Sequence, residues 1–246
     1  MGGQCKGRYM AITKAEMENY RKEGSWRNLQ ESALEISERI RQQSNSSFEP
    51  KLGGGIRLML AFNHRISSSL DFFVDSKRWI SLLSRSASME SNSSRSFYDE
   101  GNVFQLSLTD GEIQFIASPN LLNIDNFWNP GAEEASFPML PPAEIVARKL
   151  FYRGWELTAH DLLDWACLLF YSPDRDNLDE PFAKLLADKL DGIEKSLRRL
   201  HSSKPHAVAT WGNMLTPFGV QIGHVSGFGL DQLDRYRRIL EAINNK

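Results

Sequence analysis

Residues 52–73 read LGGGIRLMLAFNHRISSSLDFF. Gly53, Gly54 and Gly55 precede a run with helical capacity. After it, Leu70, Phe72 and Val74 alternate with Ser69 and Asp71, the period-two pattern of a short strand. A glycine turn entering a helix presents free backbone N–H groups and a positive dipole end, which suits phosphate. A plain flexible turn is the alternative. On the strand, Ser69 and Asp71 point to one face. Two carboxylates at that spacing would hold Mg²⁺ and, through it, a nucleotide's phosphates. Only Asp71 is an acid here, and a solvated strand-end acid is its plainer reading.

Working outward, NVFQLSLTDGEIQFIAS (102–118) predicts two strands around a Thr109-Asp110-Gly111 turn. A helix is expected over Lys77–Leu83, and the Ser- and Asn-rich stretch Ser84–Ser96 reads as a mobile loop. Upstream, Thr13 and Glu16 have capping-box spacing and Gly24 is a stop, so a short helix lies between them. A second begins near Ser25, with Trp26, Leu29, Ala33, Ile36 and Ile40 on one stripe. Past Pro141-Pro142 the chain turns helical: AEIVARKLFYRG closed by Gly154, then TAHDLLDWACLLFY, then Phe182–Leu200. A final amphipathic helix carries Leu233, Tyr236, Leu240 and Ile243. Ser202–Gly229 has no assignment; it reads as a core-covering loop or as a partner surface built on Trp211, Phe218 and Phe228. The expected class is α+β: a small mixed sheet core flanked by helices (1–140), followed by a C-terminal helical module (141–246) that completes the site.

The 246 residues carry 29 Lys and Arg against 31 Asp and Glu, a formal charge of -2, which excludes a chain that coats nucleic acid by bulk charge. The longest apolar run, about Trp165 to Tyr171, is far short of the ~20 residues of a membrane helix. Cys5 and Cys167 are too few for a disulfide framework, and Cys167 reads as a buried, reduced thiol. MGGQCK lacks the Ser or Thr that myristoylation wants at position six, and no signal core is visible. A cytoplasmic protein is expected. No zinc spacing, GxSxG or Walker loop occurs.

In the helical half, Lys149 shares a face with Ile145 and Arg153; it either serves a site or snorkels from apolar surface. Asp161 is three residues after Thr158, the spacing of an N-cap and its first-turn partner. Asp161 and Asp164 share a helix face.

Together, LGGGIRLMLAFNHRISSSLDFF, TDGEIQFIAS (109–118) and PPAEIVARKLFYRGWELTAHDLLDWACLL (141–169) resemble the AbiEii/AbiGii-type toxin family of nucleotidyltransferase-like proteins. The family pattern runs roughly L-x-GGTAL, a spacer, HR-x-S-x-DLDFF, a strand pair, then an (E/D)I-x-A-x-KL helix followed by R-G and spaced acids. Gly54, Gly55, His64, Arg65, Ser67, Leu70, Asp71, Phe72 and Phe73 fit the first part. Glu144, Ile145, Ala147, Lys149, Leu150, Arg153, Gly154, Asp161 and Asp164 fit the second. The likeness spans roughly residues 48–172 and implies a polymerase-β-type nucleotidyltransferase core that uses NTP and Mg²⁺. It implies phosphate binding at Gly54 and Gly55, nucleotide contacts from Arg65 and Ser67, and a metal-binding carboxylate at Asp71. Lys149 would contact the triphosphate, and Asp161 or Asp164 would orient it or the acceptor.

Three departures stand out. Ile56 replaces a Thr or Ser, Ser69 replaces the first acid of Asp-x-Asp, and Gln114 stands where many related enzymes place a third carboxylate. Glu112, on the face of Gln114, is a candidate substitute. One carboxylate supports at most one metal ion. Two readings follow. The first is a nucleotidyltransferase toxin of a toxin–antitoxin or phage-defence system, with a cognate antitoxin and an RNA (tRNA-like) or protein acceptor. The second is a pseudoenzyme that binds nucleotide, RNA or a partner for regulation. RNA would bind a local groove near Arg65, Arg148, Lys149 and Arg153.

Overall fold

The computed structural model describes residues 12–89, 96–122, 128–202 and 222–245. Among these, helices α1 (Lys14–Glu23) and α2 (Trp26–Ser44) precede strand β1 (Lys51–Gly53), helix α3 (Gly54–Phe62), β2 (Ser69–Val74) and α4 (Lys77–Met89). Strands β3 (Ser96–Asp99), β4 (Val103–Leu108) and β5 (Gly111–Ala117) follow. Then come α5 (Pro142–Arg153), a 3-10 turn (Gly154–Glu156), α6 (Ala159–Tyr171), α7 (Arg175–Leu186), α8 (Leu190–Ser202) and α9 (Ile222–Asn244). Cys5, Trp211, Phe218 and the rest of 203–221 lie outside the described residues.

The sheet order is β1-β2-β5-β4-β3. β2 runs parallel to β5 and the other neighbours are antiparallel, so the sheet is mixed. The expected hairpin is present: Leu108 pairs with Gly111, leaving Thr109 and Asp110 as a two-residue turn. The register that matters is at Asp71, which lies between Gly53 on β1 and Gln114 on β5. Gln114 in turn faces Gln105 on β4 and donates to it at 3.1 Å. One face of the sheet therefore carries a row Asp71, Gln114, Gln105, and beside it a row Ser69, Glu112, Ser107. The other face buries Leu70, Phe72, Ile113, Phe115 and Phe104 against α2 and α4.

Two apolar clusters hold the chain. One joins α1, α2 and α4 to the sheet, and the other joins α5 to α9. α3 is buried nearly all round and feeds both, with Ile56, Met59 and Leu60 in the first and Leu58 and Phe62 in the second. The mouth of α3 is thereby fixed between sheet and helices.

Several expectations need correction. Ser84–Met89 is helical, not loop: the Ser84 and Ser88 hydroxyls donate to the carbonyls of Ile80 and Ser84, satisfying themselves inside the helix. Residues 96–99 form a strand. The expected Phe182–Leu200 helix is two helices, parted at 187–189. The turn preserves the phase of the apolar stripe, so periodicity spans it unseen; Leu186, Leu190, Ile193 and Leu197 are all buried. Ile222–Gly229, left unassigned, begins the last helix. Cys167 is buried and free. Both capping boxes form, at Thr13 and at Thr158.

Candidate functional site

Gly54 starts α3 with φ +62, a left-handed conformation that only glycine adopts without strain. A Cβ there would overlap the Asp71 carboxylate. A Cβ on Gly55 would overlap Ser67 Oγ. The paired glycines thus serve close approach: they let the helix N-terminus close on the β2 carboxylate. The Gly55 N–H donates to Asp71. Burial still dominates at Asp71 and raises its carboxyl pKa, against the opposing pull of Lys149, Arg153 and Arg65.

Across from Asp71, α5 presents Lys149 and Arg153, and α6 holds them in place. Lys149 Nζ donates to Asp161 Oδ1 at 2.7 Å and pairs with Asp164 Oδ2 at 2.8 Å. Arg153 also pairs with Asp161 Oδ1. Asp161 Oδ2 accepts from the Thr158 N–H and hydroxyl, so this residue is the N-cap partner its spacing predicts. Asp164 is wholly buried; Arg65 grips it through Nε at 2.7 Å and Nη2 at 2.9 Å. His64 Nε2 lies 2.5 Å from Asp164 Oδ1. An ionised Asp164 requires that nitrogen to carry the proton, leaving Nδ1 as the acceptor, which has no partner among the described residues. Burial works against the charge of Asp164, yet Arg65, Lys149 and His64 outweigh it and hold its pKa well below the carboxylate range. Asp161 is also held low, by Lys149 and Arg153 against burial. Burial lowers His64, against its bond to Asp164.

Between these layers opens a pocket of about 620 Å³. Of the residues singled out from sequence, Gly54, Gly55, Asp71 and Lys149 line it; Arg65, Ser67, Asp161 and Asp164 stand behind it. Asp161 and Asp164 are not among the lining residues; they pair with Lys149, Arg153 and Arg65. Glu112 is on the same sheet face but is not among the residues lining the pocket. Ile56 is fully buried in the sheet-side core, and a hydroxyl there would meet apolar neighbours. The wall also includes Lys77, Asn102, Arg148 and Tyr152. Arg148 and Arg153 were expected near a groove. Tyr152 was missed although it follows Arg148 by four on the same helix, a usable signal. Lys77 and Asn102 arrive from distant elements and carry no local signal.

The wall carries Lys77, Arg148, Lys149 and Arg153 beside the acid Asp71, and of these cations Lys149, Arg153 and Arg148 are paired with Asp161, Asp164 and Glu144. Glu144 fixes one side of it. Its carboxylate accepts from the Leu121 and Leu122 N–H groups at 2.8 and 3.0 Å and pairs with Arg148. A second hollow of about 500 Å³ adjoins across Phe73, Ser118 and Pro119. Among the described residues no cluster of three or more His, Cys, Asp or Glu could hold a metal ion. Asp71 with phosphate oxygens would suffice for one Mg²⁺, which takes one or two carboxylates plus substrate; a two-metal site lacks ligands. Among the same residues no helix is long and apolar enough to cross a membrane.

No protein-family model and no curated protein matches the chain. Among solved structures the chain is similar to MenT4, a nucleotidyltransferase toxin from Mycobacterium tuberculosis H37Rv, with 15% identity over 92% of this chain and 90% of that one and a TM-score of 0.50. The likeness is one of fold, extending over most of both chains.

Proposed function

We propose that the chain binds a nucleoside triphosphate in this pocket and transfers its nucleotide to an acceptor hydroxyl, releasing pyrophosphate, as a toxin of the AbiEii/AbiGii type. The carrying observation is Asp71 set by Gly54 and Gly55 at the mouth of α3, facing Lys149 and Arg153 held by Asp161 and Asp164. The α3 N–H groups and Lys149 bind phosphate, and Arg153 neutralises charge on the leaving pyrophosphate. Arg65 and Ser67 act from behind the wall, Arg65 by fixing Asp164 and Ser67 by packing on Gly55. A Mg²⁺ held by Asp71 and the phosphates would supply Lewis-acid polarisation of the reacting phosphorus. The adjoining hollow is the approach for the acceptor, an RNA end or a protein side chain. A cytoplasmic location and a cognate antitoxin belong to this reading.

Incubation with labelled NTPs, Mg²⁺ and total tRNA tests it. Label transfer by the native chain that Asp71→Ala abolishes is expected, as is growth arrest on expression that the same change relieves.

One observation favours a binding-only alternative. Ser69 and Gln114 leave Asp71 as the sole acid of its face at the pocket wall, and burial raises its pKa. Tight NTP binding by calorimetry without transfer to RNA or protein would make the chain a pseudoenzyme of this fold.

A further inference from the structure

Two chemically distinct groups of residues line the pocket. Gly54, Gly55, Asp71, Lys149 and Arg153 form one, polar and charged. Val103, Ile116 and Ala117 of the sheet, with Tyr152, form the other, mostly apolar. Tyr152 is 53% exposed, unusual for an aromatic ring that lines a pocket. Its ring makes two contacts. Phe151 meets it edge-on at a centroid distance of 5.1 Å, and its hydroxyl lies 3.3 Å from Ser118 Oγ. The neighbouring aromatic, Phe73, is not open in the same way, because the Arg148 guanidinium covers it at 4.4 Å from the ring centroid.

We propose that Tyr152 is the platform on which the nucleobase stacks, making it a positioning and selectivity residue of the nucleotide pocket. This rests on the pocket being a nucleotide site. An exposed ring pre-oriented by an edge contact loses little entropy when a flat heterocycle lands on it. Stacking of a base on an aromatic side chain is worth about 1–3 kcal/mol by alanine substitution, which is roughly a 5- to 150-fold change in affinity. Asn102 and Gln114 place side-chain amides on the same wall, where they can meet a base edge with donors and acceptors. Tyr152 carries no charge, so losing its ring removes the stacking surface without removing a phosphate-binding cation. Stacking and phosphate affinity are therefore separable.

Calorimetry of the native chain, Tyr152→Ala and Tyr152→Phe against the four NTPs and against inorganic tripolyphosphate tests this. The expected result is at least about fivefold weaker NTP binding in Tyr152→Ala. Tyr152→Phe should bind near normally, and tripolyphosphate should bind all three alike. Unchanged NTP affinity in Tyr152→Ala would overturn the platform while leaving the phosphate site standing. An equal loss for tripolyphosphate would also overturn it, since the residue would then act on the pocket as a whole. Failure of the native chain to bind either NTP or tripolyphosphate would overturn the nucleotide reading itself and this inference with it.

Discussion

Asp71 on β2 and Asp164 on α6 are both aspartates close to Lys149 and Arg65, yet their chemistry has opposite sign. Asp164 is enclosed by direct partners: both Arg65 nitrogens, Lys149 and His64. Its charge is more than compensated and its pKa falls. Asp71 receives one backbone N–H, and its cations act at longer range, so desolvation wins and its pKa rises. Full pairing makes a strut; incomplete pairing leaves a carboxylate with unused capacity for a cation or a substrate. Perturbed acids of the second kind mark functional sites more specifically than acids of the first.

The largest break in this comparison is Asp164→Asn. It strands the buried Arg65 and Lys149 charges, and removing one partner of a buried ion pair costs about 3–5 kcal/mol. Chemical denaturation should show that loss; a cost under about 1 kcal/mol would mean that Asp164 is no strut. Because its folded pKa is depressed, its contribution is in place above the unfolded value near about 4 and is lost as pH falls through the folded value. Native acid unfolding should accordingly begin below about pH 4, and the variant should lack that component.

Gly54→Ala comes next. The positive φ and the overlap with Asp71 together should cost roughly 1–3 kcal/mol and abolish NTP binding. Calorimetry showing normal binding would dissociate the α3 mouth from the site.

Asp71→Asn has the reverse sign. A group whose folded pKa is raised stabilises below its unfolded value and loses that contribution as pH rises through the folded value. The variant should therefore be more stable than native at neutral pH, by about 1 kcal/mol, a common gain when a functional charge is removed. The difference should vanish in melts below about pH 4. A lower melting temperature at pH 7 would contradict the incomplete pairing of Asp71.

An effect of similar size is expected from adding acids. Ser69→Asp with Gln114→Glu places carboxylates on the same sheet face as Asp71. Mg²⁺ at ten times its dissociation constant would then raise stability by about 1.4 kcal/mol, against a few tenths for the native chain. Equal Mg²⁺ dependence of the two melting curves would show that the face does not gather around a metal.

Part of the geometry around the candidate site is legible in the chain itself. Period-two alternation located Ser69 and Asp71 on one strand face, and the Thr158–Asp161 spacing identified a capping pair. Identity alone could not rank the acids. Asp71, Asp161 and Asp164 look equivalent in sequence, and depth behind the wall separates them only once α5, α6 and β2 meet. The helix 84–89 was hidden because serine's weak propensity is offset by hydroxyl bonds to the preceding turn. The break at 187–189 was hidden because it keeps the helical phase.

The sequence by itself determined the local elements and the scarcity of acid around Asp71, since both depend on residue type and short-range spacing. Tertiary structure alone decided which charges are satisfied. Pairing Asp164 with Arg65, 99 residues away, and opening the pocket wall to Tyr152 both depend on which surfaces α3, α5 and β2 bury against one another. Burial and pairing set the energy of a charge, and neither is a property of the residue that carries it.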